Sequence, residues 1–191
     1  MADPKQEELF SPLSDLQAAQ WLIGELHDDL RGRVARFQQL NDLCANLGST
    51  GTMIPGEVAY SAWIEARSSF VNGNYVATVM LCQGLAEQML ASHLTLSLNA
   101  PELPKKIGFQ DTLSRCVEQG VIEPSLAGQL KQLMGLRNPL SHFRRVDDPE
   151  SLSRRALDSQ TPAQVTLLHD ATFAIGVAVD LLASAAFRLG R

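Results

Sequence analysis

The sequence predicts an all-α protein. Apolar residues recur at three- and four-residue steps over long stretches, the period of a helix face. Leu, Ala and Gln are abundant, while Val and Ile are not gathered into alternating runs. Gly-, Asn- and Pro-containing stretches interrupt the periodic segments where connections are needed.

Residues 1–10 read as a loose tail. Ser11-Pro12 then opens a long helical pattern to about Leu47, an extra N-terminal helix. Leu13, Leu16, Ala19, Leu22, Ile23, Leu26, Leu30, Val34, Phe37, Leu40 and Leu43 form one apolar stripe. Gly24 and Gly32 weaken it. The stripe can pack on the chain's own bundle or serve as a docking element. The segment 48-GSTGTMIPG-56 is a linker by composition. It divides a tail and long helix, residues 1–50, from a main domain, residues 57–190.

A second helix is predicted over 57–71 and a turn at Asn72-Gly73-Asn74. The third, about 75–98, is apolar around much of its girth, so it is expected to be central. Asn99 to Pro104 is a loop with two prolines. A fourth helix covers about 108–119. Glu123-Pro124-Ser125 starts a fifth, reaching about Leu136. The stretch 147-DDPESLSRRALDSQ-160 reads as a charged, mobile connection. Thr161-Pro162 has the form of an N-cap followed by Pro at the first helical position, opening a last helix to about Leu189.

The chain has 191 residues, 45% hydrophobic and 19% charged, as in a globular domain with a sizeable core. Its net charge is −5. Proteins that coat nucleic acid non-specifically are usually basic, because phosphate neutralisation supplies most of that affinity. The charge excludes that class and leaves a local RNA contact open. Cys44, Cys82 and Cys116 lie far apart in apolar segments, without the spacing of a zinc site. They read as buried thiols of a reducing compartment, and no metal or cofactor is expected. The polar, acidic start MADPKQEELF is not that of a signal peptide, so a cytoplasmic location is expected. ATFAIGVAVDLLASAAFRLG is the one candidate membrane span. Asp180 interrupts it and Ala dominates it, so it reads as a buried bundle helix, with no membrane partner.

Chemistry concentrates in 133-LMGLRNPLSHFRR-145. Asn138 precedes Pro139 and is pushed out of the α region. Asn138 then reads as N-cap, Pro139 as the first helical residue and His142 as the fourth. Arg137, just before the cap, faces His142 across the helix start. Free backbone N–H groups there would suit a phosphate, and Arg144 and Arg145 add positive charge. In a straight helix Arg137 and His142, five residues apart, would point roughly 140° away from each other. The proline break is what would bring them together. These are parts for metal-free RNA cleavage: a His to move a proton and an Arg to hold the phosphate. The plainer reading is a locally capped helix start with surface side chains.

His93 reads as a core or edge histidine, and His27 and His169 as surface or interface residues. No Ser-His-Asp or Cys-His arrangement is evident, and GTMIPG is not a phosphate-binding loop. Arg154-Arg155 reads as exposed, within reach of RNA.

The run LRNPLSH resembles the Arg-x4-6-His motif of HEPN domains, in the form where a polar residue, here Asn138, follows the Arg. RSSFVNGNYVATVMLCQGLAEQML resembles the family's earlier helix pair, and a long apolar final helix follows the motif. The resemblance covers about residues 57–190. It implies an up-and-down helical bundle and a metal-independent endoribonuclease of toxin–antitoxin or antiphage defence systems. It also implies a homodimer whose cleft joins two Arg–His pairs. Arg137 would bind phosphate and stabilise the transition state, and His142 would act as acid/base. Asn138 would support them and Glu87 would orient Arg137. An antitoxin or defence protein would be the partner. One group of the family carries His-x-Tyr, with Tyr modified by its antitoxin. Here the residues are His142-Phe143-Arg144, which departs from that control. Other members only bind RNA, nucleotide or protein without catalysis.

Overall fold

The computed structural model describes residues 14–48, 51–96, 104 and 106–189. The expected tail, the helix opening at Ser11-Pro12 and most of the Asn99–Pro104 loop lie outside them. Among the described residues eight α-helices pack as an all-α bundle: α1 Asp15–Asp28, α2 Leu30–Cys44, α3 Gly56–Val71, α4 Tyr75–Leu96, α5 Phe109–Glu118, α6 Pro124–Ser141, α7 Leu152–Ser159 and α8 Ala163–Ala183. Short 3-10 turns follow α2 and α8.

The central helix is α4, as its girth of apolar residues predicts. It packs against α3, α5, α6 and α8. Val79, Cys82, Leu85, Met89 and Leu90 are fully buried there. They meet Phe70 of α3, Leu130 and Leu133 of α6, and Ile175, Leu181 and Leu182 of α8 in one cluster. Full burial of each such side chain contributes about 1.5–3 kcal/mol.

Local chemistry ends the helices where the sequence placed turns. At the end of α3, Asn74 N–H donates to Ser69 O and Gly73 N–H to Phe70 O. This paired closure needs a left-handed residue, and Gly73 supplies it at φ 78°. Gly120, at φ 69°, closes α5 the same way, with Val121 N–H donating to Cys116 O.

The N-terminal helix differs from the expectation of one continuous element. Asp29 interrupts it at φ −101° and ψ 4°, giving α1 and α2. A cation clamp holds the break. Arg36 reaches Asp29 at 2.6 Å, the carbonyl of Val71 at 2.9 Å and the Tyr75 hydroxyl at 3.4 Å. Arg33 donates to Asn72 Oδ1 at 2.7 Å. Thus α2 is tied to the α3–α4 turn, and its Leu40 joins the common core. By contrast α1 has no buried residue.

Residues 51–55 are also held. Met53 N–H donates to Phe187 O at 2.8 Å and Leu189 N–H to Gly51 O at 3.0 Å. Thr52 and Arg188 form an isolated antiparallel bridge, with Arg188 Nη1 donating to Thr52 Oγ1 at 2.7 Å. The sequence between the N-terminal helices and α3 therefore packs against the end of the bundle.

One described helix, α8, is long and apolar enough to cross a membrane by length and composition. Eleven of its residues, from Thr166 to Leu182, are buried in the bundle. Its start falls one residue later than expected, with Pro162 as N-cap. It ends at Ala183, before the expected Leu189, because Ser184 turns extended and a 3-10 turn places Phe187 back in the core.

Candidate functional site at the end of α6

The inner row of α6 is Leu126, Leu130 and Leu133, at helical steps of four and three. Arg137 continues that row by one turn, which makes it half-buried where the core ends. Asn138 is half-buried beside it, and His142 is exposed.

The motif is a helix end, not a helix start. Pro139 lies inside α6, and His142 is the C-cap in an extended conformation, φ −125° and ψ 136°. The expected N-cap role of Asn138 is therefore corrected. Its carbonyl accepts from His142 N–H at 3.0 Å and from Ser141 Oγ at 3.2 Å. A proline within a helix forgoes one backbone bond. Two turns of packed leucines before it hold α6, and the loss falls in the last turn, where Ser141 satisfies terminal carbonyls. The reversal changes the electrostatics. A helix C-terminus carries the negative dipole end, so α6 itself offers no cradle of free N–H groups.

The side chains differ in how they are engaged. Arg144 pairs with Asp148 and Glu150, both at 3.2 Å, and Arg145 with Asp147 at 3.1 Å. Three carboxylates thus offset the two arginines expected to attract RNA. Arg154 pairs with Asp158 at 2.8 Å. Of the five arginines from 137 to 155, Arg137 alone has no ion pair or side-chain hydrogen bond among the described residues. Glu87 is exposed on α4 and accepts from Gln83 Nε2 at 3.1 Å. Among the described residues no bond joins Glu87 to Arg137, so the structure does not bear out the orienting role expected of it.

His142 lines an open concavity of about 340 Å³ with Pro139, Ser141, Arg144, Ser151 and Ser153. Arg137, Asn138 and Glu87 are not on its wall. Within one chain, Arg137 and His142 are therefore neighbours at one helix end, and only His142 lines this concavity. Phe143, 92% exposed, projects beside them.

The stretch 147–160 departs from its expected mobility. Ser151 Oγ accepts from Arg154 N–H at 3.1 Å and caps α7. Arg155 grips Asp170 of α8 through two bonds of 2.6 and 2.8 Å. Asp170 is 4% exposed. Hydrogen bonds to this carboxylate hold the Arg155 guanidinium above its usual pKa. Arg155 is thus a structural tie rather than a free RNA contact. The sequence signal was present in Ser151, a good N-cap residue ahead of a short helical run. Nothing local marked Asp170 as its partner.

His93 is half-buried on α4 with its ring 5.5 Å from that of Phe187, and His27 and His169 are exposed. Burial pushes the Cys116 thiol up to about 11, and raises Cys82 further. Among the described residues no cluster of three or more His, Cys, Asp or Glu is placed to hold a metal. No family model, curated protein or solved structure matches the chain.

Proposed function

We propose that this chain is a HEPN-like domain that cleaves RNA without a metal, using Arg137 and His142. One observation carries the reading. Arg137 is a half-buried cation with no partner among the described residues, in a segment where every other arginine is neutralised by a carboxylate. A guanidinium left in that state is available to a phosphate.

In the proposed reaction the ribose 2′-oxygen attacks the adjacent phosphorus and the bond to the 5′-oxygen breaks. The 2′ proton leaves to a base and the 5′-oxygen takes up a proton. The products are a cyclic phosphate and a 5′-hydroxyl end. His142 serves as proton carrier. Arg137 holds the non-bridging oxygens and stabilises the added negative charge. Asn138 buttresses the helix end. Arg144 and Arg145 contact RNA at the rim only if it displaces Asp147, Asp148 and Glu150. A second copy brings another Arg137 and His142 to the same cleft, supplying the base and the acid from two chains. The setting we propose is the cytoplasm of a microbe, in toxin–antitoxin or antiphage defence, with an antitoxin or defence protein as partner.

The test is incubation of the purified chain with mixed cellular RNA in EDTA, beside His142→Ala and Arg137→Ala. Cleavage by the parent, reduced about 10²–10⁴-fold by His142→Ala, is the expected result. Equal cleavage by the parent and both variants would assign the activity elsewhere. A second reading, a non-catalytic HEPN-like interaction domain, is favoured by one specific observation. In one chain His142 lines a concavity that Arg137 does not. Under that reading RNA stays intact with parent and variants alike.

A further inference from the structure

Three apolar side chains stand in solvent where α6 passes into α7. Phe143 is 92% exposed, Val146 65% and Leu157 66%. They are not scattered. With Arg145, Asp147 and Arg154 they wall one open cleft of about 530 Å³. Phe143 is also a wall of the concavity that His142 lines. One ring therefore borders both the cleft and the space in front of the imidazole. Leaving a phenyl ring in water forgoes the stabilisation that its burial would give.

We propose that Phe143, flanked by Val146 and Leu157, is a stacking platform for one unpaired nucleobase. The proposal rests on the reading of this helix end as an RNA site and adds the residue that positions the strand there. The make-up of the cleft selects a base. An open aromatic face stacks on the π-face of any base, whatever the sequence. Arg145 and Arg154 bring planar guanidinium groups, which stack on bases and pair with phosphate. Asp147 brings a carboxylate that can accept from a base N–H. The volume lies within the roughly 300–1,000 Å³ of small-ligand sites. The same composition disfavours a protein surface, because interface centres are depleted of charged residues, Asp among them. A duplex does not fit either, since its bases are already stacked and paired. The arginines are not locked. Arg145 and Asp147 are 80% and 71% exposed, and pairs so open hold weakly. Yet Asp147, Asp148, Glu150 and Asp158 offset the charge of Arg144, Arg145 and Arg154. Stacking, rather than net charge, must then supply the binding.

The probe for the test is a single-stranded 2′-O-methyl RNA octamer with 2-aminopurine at its centre. It lacks the attacking 2′-hydroxyl, so binding is read without cleavage. The parent should quench the 2-aminopurine as the base stacks. Phe143→Ala should weaken binding roughly 5- to 100-fold. Its helical circular dichroism should not change, because the ring is exposed. Phe143→Trp should restore binding. Adenosine 5′-monophosphate, titrated alone, separates the two sources of a base. A platform that takes a base only within a strand leaves it unbound. Binding of it that Phe143→Ala loses places a free nucleotide on the same ring. Equal binding of the octamer by parent and Phe143→Ala overturns the proposal. So does a parent that binds neither probe, and so does a loss that Phe143→Trp fails to restore. Equal octamer binding joined to a lower mass for Phe143→Ala in sedimentation velocity would give the patch to a protein surface instead. The cleavage reading fails separately. A parent that holds the octamer through Phe143 but leaves cellular RNA intact in EDTA keeps the platform and loses the catalysis.

Discussion

The helices α1 and α8 are both rich in apolar residues, yet they end up in opposite surroundings. Eleven residues of α8 are buried. None of α1 is, and Leu16, Trp21, Leu22, Ile23 and Leu26 all stand more than half exposed. Apolar composition therefore says that a helix wants cover, not that the chain itself provides it. What separates the two is anchoring. Arg155 ties α7 to α8 through buried Asp170, and α8 packs on α4 along its length. The anchors of the N-terminal arm, Arg33 and Arg36, act only after the break at Asp29. Among the described residues α1 packs against α2 and buries no side chain of its own.

Substitutions can break this contrast, and their expected sizes differ. Leu181→Ala removes a fully buried side chain of α8 and should cost about 2–5 kcal/mol in urea unfolding. A loss under 1 kcal/mol would mean that α8 is not the core helix. Arg155→Ala leaves the Asp170 carboxylate buried without its partner. Because Arg155 is itself 27% exposed, the expected cost is about 2–3 kcal/mol, below that of a wholly buried pair. Replacing Gly73 by Ala forces a side chain into φ 78° and to 3.3 Å from Arg36 Nη2. About 1–2 kcal/mol should be lost there, together with some of the tie between α2 and the α3–α4 turn. Leu26→Ala should change unfolding by no more than about 0.5 kcal/mol at concentrations where the chain is monomeric. A large effect at low concentration would show α1 to be part of the monomer's core.

The thiols give a pH test of the same contrast between covered and open regions. Burial raises the pKa of Cys116 to about 11 from 9.0. Between those values the unfolded chain ionises this thiol and the folded chain does not, so stability falls as pH rises through the window. Cys116→Ala should lessen that slope in chemical unfolding measured from pH 8 to 11, the remainder coming from buried Cys82, whose thiol is raised further. At pH 8, alkylation should reach half-buried Cys44 before Cys82 or Cys116.

At the end of α6 the sequence was legible in its residue types and misleading in its direction. Asn138-Pro139 has the local form of a helix start. The structure instead runs α6 through Pro139, because Leu126, Leu130 and Leu133 keep the preceding turns packed against α4 and α8. Burial of three leucines outweighs one missing backbone bond. The same holds for α7. Its charged sequence reads as a connection, and a cap at Ser151 with the Arg155–Asp170 pair makes it a docked helix.

What the sequence by itself determined is local. The all-α class, the central place of α4, the turn at Gly73 and the start of α6 at Pro124 follow from periodicity, a left-handed glycine and the fixed φ of proline. Those causes act within a few residues of chain. What only the tertiary structure decided is which apolar faces find cover, which arginines find carboxylates, and whether Pro139 begins a helix or rides inside one. Those outcomes depend on contacts between residues far apart in sequence, and local propensities are too weak to settle them.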